Sequence, residues 1–86
     1  MKILLVDDSR TIAMLTTARL ESFGYEVRHA ADEATAIAMF QQEPFDLILM
    51  DIEMPGMNGF ETTTRIRALE GSDAWAWTPI IFVTAT

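Results

Sequence analysis

Leu47-Ile48-Leu49-Met50-Asp51 decides the reading of this chain: four apolar residues run without alternation into a carboxylate, and Ile52-Glu53-Met54-Pro55-Gly56-Met57-Asn58-Gly59 follows at once. An unbroken apolar run of this kind suits a strand covered on both faces, the condition of a parallel sheet between helix layers. Pro55 lacks a backbone donor, and Gly56, Asn58 and Gly59 tolerate conformations that most residues avoid, so the chain leaves the sheet just after Asp51. Ligands of open α/β sheets bind beyond the carboxyl ends of the strands, which puts Asp51 where chemistry is expected.

A second stretch has the same form. Ile3-Leu4-Leu5-Val6 runs into Asp7-Asp8, with Ser9 placed to cap a following helix. With the two strands as parallel neighbours, three carboxylates converge on one crevice. Two unit charges about 4 Å apart repel by about 4 kcal/mol at an effective dielectric near 20, so the cluster calls for a counter-charge. Magnesium fits, because it prefers oxygen ligands and binds through one or two carboxylates together with waters and a substrate's phosphate oxygens. Taken singly, each acid reads as a solvated turn residue; it is the repetition at two strand ends that favours the cation.

Working outward, Lys2 to Asp7 is predicted as a strand and Arg10 to Phe23 as a helix stopped by Gly24, with Ile12, Leu15 and Ala18 on its inward stripe and Met14 beside it. In Tyr25 to Ala30, Tyr25, Val27 and His29 alternate with Glu26 and Arg28, the pattern of an outer strand. His29 is the only histidine and has no second histidine or cysteine near it, so it reads as a surface or edge residue. Asp32 caps a second helix running to about Gln42, with Ala34, Ile37 and Ala38 inward and Met39 and Phe40 contributing. The third strand starts near Phe45. A third helix runs from Gly59 to Leu69 with Phe60, Ile66 and Leu69 as apolar contacts, and Thr62, Thr63 and Thr64 weaken it. Glu70 to Thr78 reads as a loop whose Trp75 and Trp77 pack over the amino-terminal edge of the sheet, with a partner-binding patch as the alternative. Pro79 to Thr84 is the fourth strand, uniformly apolar at Ile80-Ile81-Phe82-Val83 and so expected to be covered on both faces. Right-handed crossovers then give the strand order 2-1-3-4 with helices on both faces, an α/β sheet of the doubly wound kind.

The 86 residues form a single domain, 1–86, of globular composition, half apolar and 22% charged. A net charge of −7 argues against nucleic-acid binding through a basic face. Cysteine is absent, which excludes disulfides, and no apolar run approaches the ~18 residues of a spanning helix, so a soluble cytoplasmic protein without membrane association is expected.

LLVDDS at residues 4–9, LILMDIEMPGMNG at 47–59 and FVTAT at 82–86 together resemble the receiver domain of two-component response regulators, whose fold is flavodoxin-like. The resemblance covers the whole chain. It implies that Asp51 accepts a phosphoryl group from a histidine kinase or phosphotransfer protein, that Asp7, Asp8 and Asp51 hold Mg2+ together with the backbone carbonyl of Glu53, and that Thr84 is the switch hydroxyl that bonds the phosphoryl group. By the same resemblance a receiver carries a fourth helix, a fifth strand and a fifth helix beyond this point, so the chain is expected to be a truncated, incomplete sheet. A lysine that receivers use for one phosphoryl oxygen is then missing, which implies impaired phosphotransfer. Lys2, about 17 Å from Asp7 at the far end of its strand, does not replace it, and Arg10 reads as a surface residue.

Two other functions are weighed. A receiver scaffold can serve as an interaction or dimerisation module without phosphotransfer. A haloacid dehalogenase-like phosphatase also uses an aspartate and magnesium at strand ends, but it places its nucleophile after the first strand in an Asp-x-Asp pattern, whereas Asp7 and Asp8 are adjacent and the isolated acid follows the third strand. Enzymatic activity is therefore not expected. An unpaired apolar fourth strand invites pairing with another chain, which predicts a homodimer through that edge or through exchanged terminal segments.

Overall fold

Four strands, β1 (Lys2–Val6), β2 (Glu26–Ala30), β3 (Leu47–Asp51) and β4 (Ile80–Val83), alternate with helices α1 (Arg10–Ser22), α2 (Glu33–Gln42) and α3 (Gly59–Glu70) in the computed structural model, which describes residues 1–51, 59–71 and 78–83. The strands pair in parallel in the order β2-β1-β3-β4, as the apolar runs and their spacing predict. In register, Val6 lies between Ala30 and Met50, and Asp51 lies opposite Val83. The carboxyl ends of the two central strands are therefore level, and the acids that follow or end them are brought together.

Side chains alternate across the sheet and so divide the core in two. On one face Leu4, Val6, Ala30, Ile48 and Met50 pack with Ala36 of α2 and Ile66 of α3, all fully buried, while Phe45, Ile37, Met39, Phe40 and Ile80 close the margins. Each large aliphatic side chain taken out of water here contributes about 1.5–3 kcal/mol. The other face is thinner: Leu5 and Val27 meet Ala13 of α1, with Leu20 and Leu49 partly covered.

Helix ends follow their local chemistry. Ser9 Oγ accepts the Ile12 N–H at 3.3 Å, and Asp32 Oδ1 accepts that of Thr35 at 2.7 Å. Helix α1 closes in a Schellman arrangement, in which Gly24 N–H donates to Glu21 O and Tyr25 N–H to Leu20 O while Gly24 takes a φ of 91°. The three threonines of α3 all place their hydroxyls: Thr63 and Thr64 donate to the carbonyls of Gly59 and Phe60, and Thr62, fully buried, points its hydroxyl at Glu33 Oε1 at 3.5 Å. The start of β4 is clipped to the end of α3, because the Glu70 carboxylate accepts from Arg67 Nη1 (2.7 Å) and from the Thr78 N–H (2.6 Å), and Arg67 also donates to Thr78 O.

Several inward assignments need correction. Ile12, Met14, Leu15 and Ala18 are exposed, and the face of α1 turned to the sheet is Ala13, Thr16, Thr17 and Leu20. Those positions share one helical stripe, and alanine at its start allows close approach; the expectation followed side-chain size and missed the phase. In α2 the inward alanine is Ala36, whereas Ala34 and Ala38 face outward. In α3, Ile66 is buried as expected, but Phe60 and Leu69 are exposed, and Gly59 and Thr62 pack inward instead. Strand β4 stands at the sheet edge, as expected for an incomplete sheet, and with Ile81 50%, Phe82 38% and Val83 39% exposed its apolar run is not covered on both faces. Phe60 finds a neighbour there, its ring centroid 4.9 Å from that of Phe82. Trp75 and Trp77 lie outside the described residues. No helix among the described residues is long and apolar enough to cross a membrane.

Candidate acidic site

Asp51 ends β3, and Asp7 and Asp8 follow β1 directly, so the level strand ends bring their carboxylates into one group. A ligating oxygen from each of the three lies within 4.8 Å of the others. Asp7 is 4% exposed and Asp51 3%, while Asp8 is open to solvent. Burial pushes the Asp7 carboxyl above its ordinary range, and the neighbouring Asp51 carboxylate adds to the rise; the Ser9 N–H, donating to Asp7 Oδ1 at 2.9 Å, works against it. A nearby positive charge would favour ionisation of such a buried carboxyl beside a second carboxylate.

The donor set suits a hard cation. All three side chains offer oxygen, two from within the fold and one from the solvent side, and their spread is comparable to the ~4.2 Å across an octahedral magnesium shell. Below the acids the strand ends open into a pocket of about 240 Å³, lined by Leu5, Ile12, Thr16, Leu49 and Val83 as well as Asp7 and Asp51. No basic side chain lines it among the described residues. Lys2 is engaged elsewhere, with Nζ 2.6 Å from Glu43 and 3.8 Å from Glu26, and its ammonium lies over the Phe45 ring. Arg10 is exposed, as expected.

The structure thus brings together Asp7, Asp8 and Asp51, while Glu53 and Thr84 lie outside the described residues. It also adds one residue that sequence reasoning left aside. His29, half-buried on the outer strand, has Nε2 2.7 Å from the backbone carbonyl oxygen of Asp7. The outer-strand reading of β2 holds, but this contact depends on a pairing register that no local pattern in the sequence specifies.

Residues 3–86 match the family model described as the response regulator receiver domain. Among relatives, PilH of Pseudomonas aeruginosa is 41% identical over 83 residues, which are 96% of this chain and 66% of PilH. The chain spans only 6–10% of several sensor proteins that it also matches. Among solved structures, the chemotaxis protein CheY4 of Vibrio cholerae superposes with a TM-score of 0.87 at 39% identity, covering 99% of this chain and 68% of CheY4. The response regulator protein TrrA of Thermotoga maritima, solved in complex with Mg(2+)-BeF, gives 0.76 at 30% identity over 99% of this chain and 88% of TrrA, and TrrA has also been solved in complex with the histidine kinase ThkA. With its strand order, its paired acids after β1 and its single acid at the end of β3, the chain belongs to the response regulator receiver domain family.

Proposed function

We propose that this chain, read as one domain over residues 1–86, is the phosphoacceptor segment of a two-component response regulator. Asp51 takes a phosphoryl group from a histidine kinase or phosphotransfer protein, and Asp7, Asp8, Asp51 and the backbone carbonyl of Glu53 hold Mg2+. The observation that carries this reading is the convergence of the three carboxylates at level strand ends. The TrrA complexes with Mg(2+)-BeF and with a histidine kinase support the metal and the partner. A cytoplasmic location belongs to the same proposal.

In the transfer, an Asp51 oxygen forms the new bond to phosphorus as the bond to the donor breaks, and the donor leaves with the electron pair. The moving phosphoryl group carries its charge on three equatorial oxygens, so catalysis is mainly positioning and charge stabilisation. Asp7, Asp8 and Asp51 would hold magnesium, which would supply positive charge to the moving phosphoryl group and offset the acids. The strand end holds Asp51 with its neighbours in place before the donor arrives, and the Thr84 hydroxyl serves a second oxygen. No basic side chain lines the pocket among the described residues, so no described cation serves the third oxygen, and the acyl phosphate is expected to form slowly and to be short-lived. The test is the intact mass of the chain incubated with acetyl phosphate. Addition of one phosphoryl group only when magnesium is present supports the reading, and magnesium-independent addition removes the metal from it.

A second reading rests on β4. Its Ile81, Phe82 and Val83 are exposed on the sheet's outer strand, so the isolated 86-residue chain is also proposed to form a homodimer through that edge or through exchanged terminal segments, as an interaction module would. Sedimentation equilibrium decides this, with a folded monomer at micromolar concentration as the contrary result.

A further inference from the structure

The turn that carries the acidic pair is tied to β2 at two points. Asp7 N–H donates to Ala30 O at 3.1 Å, extending the ladder by one bond, and Asp7 C=O lies 2.7 Å from His29 Nε2. A carbonyl oxygen only accepts, so Nε2 carries the proton and donates. On the other side the Ser9 N–H holds Asp7 Oδ1. The carbonyl that His29 grips belongs to the peptide group joining Asp7 to Asp8. That group is planar, so fixing its oxygen fixes the direction in which the Asp8 Cα leaves the turn. Asp8 is the one exposed acid of the three, and it lacks the packing that holds Asp7 and Asp51. Its backbone is oriented from one side by the imidazole and from the other by Ser9, whose N–H donates to Asp7 Oδ1 and whose carbonyl accepts from the Ala13 N–H. His29 is available for this because it stands on β2 opposite Leu5, on the face covered by α1, and borders a shallow recess with Ala13, Thr17 and Glu21.

We infer that His29 is a positioning residue of the acidic site: through its hydrogen bond to the Asp7 carbonyl it sets the angle at which Asp8 is presented to a divalent cation. This rests on the reading of the three acids as a magnesium site. Partners that orient ligands from behind typically change metal affinity by about 10–100-fold. Here the partner acts on a backbone group, so about tenfold is expected.

The experiment is a magnesium titration of the 86-residue chain, followed by amide chemical shifts, for the wild type, His29→Phe and His29→Gln. Phenylalanine keeps a ring on the strand and removes the donor, whereas the glutamine amide can donate to the same carbonyl. His29→Phe is expected to weaken binding about tenfold at the low end of that range, with the thermal midpoint of the metal-free protein little changed, and His29→Gln to recover most of the loss. In the wild type, nitrogen shifts of the imidazole should show the proton on Nε2, a measurement that holds even if a variant fails to fold. Equal affinity in the wild type and His29→Phe would overturn the inference while leaving the metal site standing. A neutral ring with its proton on Nδ1 overturns it too, as does His29→Gln binding as weakly as His29→Phe, because ring packing and not the donated bond would then be the cause. A wild type that does not respond to magnesium removes the metal reading itself and this inference with it.

Discussion

Replacing Asp7 by asparagine should stabilise the metal-free protein and abolish its response to magnesium. Asparagine keeps the shape of the side chain and still offers an oxygen to the Ser9 N–H, so the change is mainly one of charge. Carboxylate oxygens within 4.8 Å of one another repel by about 3 kcal/mol per pair at an effective dielectric near 20. Solvent around Asp8 and proton uptake by Asp7 relieve part of this, which leaves a gain of about 1–2 kcal/mol near neutral pH. For a domain of this size each kcal/mol moves Tm by about 4–8 °C. The pH dependence has a definite sign. Because the Asp7 carboxyl is raised in the fold above its ordinary value of 3.8, its ionisation penalises the native state increasingly as pH rises through the folded-state pKa, and the penalty vanishes below the unfolded-state value. The advantage of Asp7→Asn should therefore be full at neutral pH and fade in acid. Urea denaturation with a chelator and then with millimolar magnesium, followed across pH, reads both effects. Magnesium should raise the wild-type midpoint by mass action and leave the variant unmoved. A variant less stable than the wild type without metal, or one that magnesium stabilises equally, would refute the electrostatic account of the site.

Two further changes test the scaffold that levels the strand ends. Gly24→Ala meets no atom within 4 Å, yet it forces a side chain onto a φ of 91°, so chemical denaturation should show a loss of about 1–2 kcal/mol with no change in magnesium affinity. Glu70→Ala removes the carboxylate that joins Arg67 to the Thr78 N–H and leaves both without it, so a loss of about 1–3 kcal/mol is expected, together with faster hydrogen exchange at the Thr78 amide.

The part of this protein that reads most directly from sequence is the part governed by local chemistry. Two apolar runs ending in acids, a serine and an aspartate before helical stretches, and a glycine after one suffice for the sheet, its helices and the meeting of Asp7, Asp8 and Asp51. What escaped depends on relations between elements. The phase of α1 about its axis is set by how closely Ala13 approaches Leu5 and Val27, and a stripe of larger residues at Ile12 and Leu15 competes with it on hydrophobicity alone. His29 offers no local signal, since its partner is a backbone carbonyl on a strand paired with β2 at a register invisible to periodicity. The exposure of Ile81, Phe82 and Val83 is legible only through the expected incomplete sheet, because an apolar run by itself reads the same at an edge as in the interior.

Whether Asp51 is the acceptor is decided by locating the phosphoryl group on the chain. The chain is incubated with acetyl phosphate and magnesium, trapped by borohydride reduction of the acyl phosphate, digested, and read by peptide mass for the modified residue. A single modified position is expected at Asp51, at low yield, absent without magnesium and absent in Asp51→Asn. Modification at Asp7 or Asp8, or labelling that survives Asp51→Asn, would contradict it.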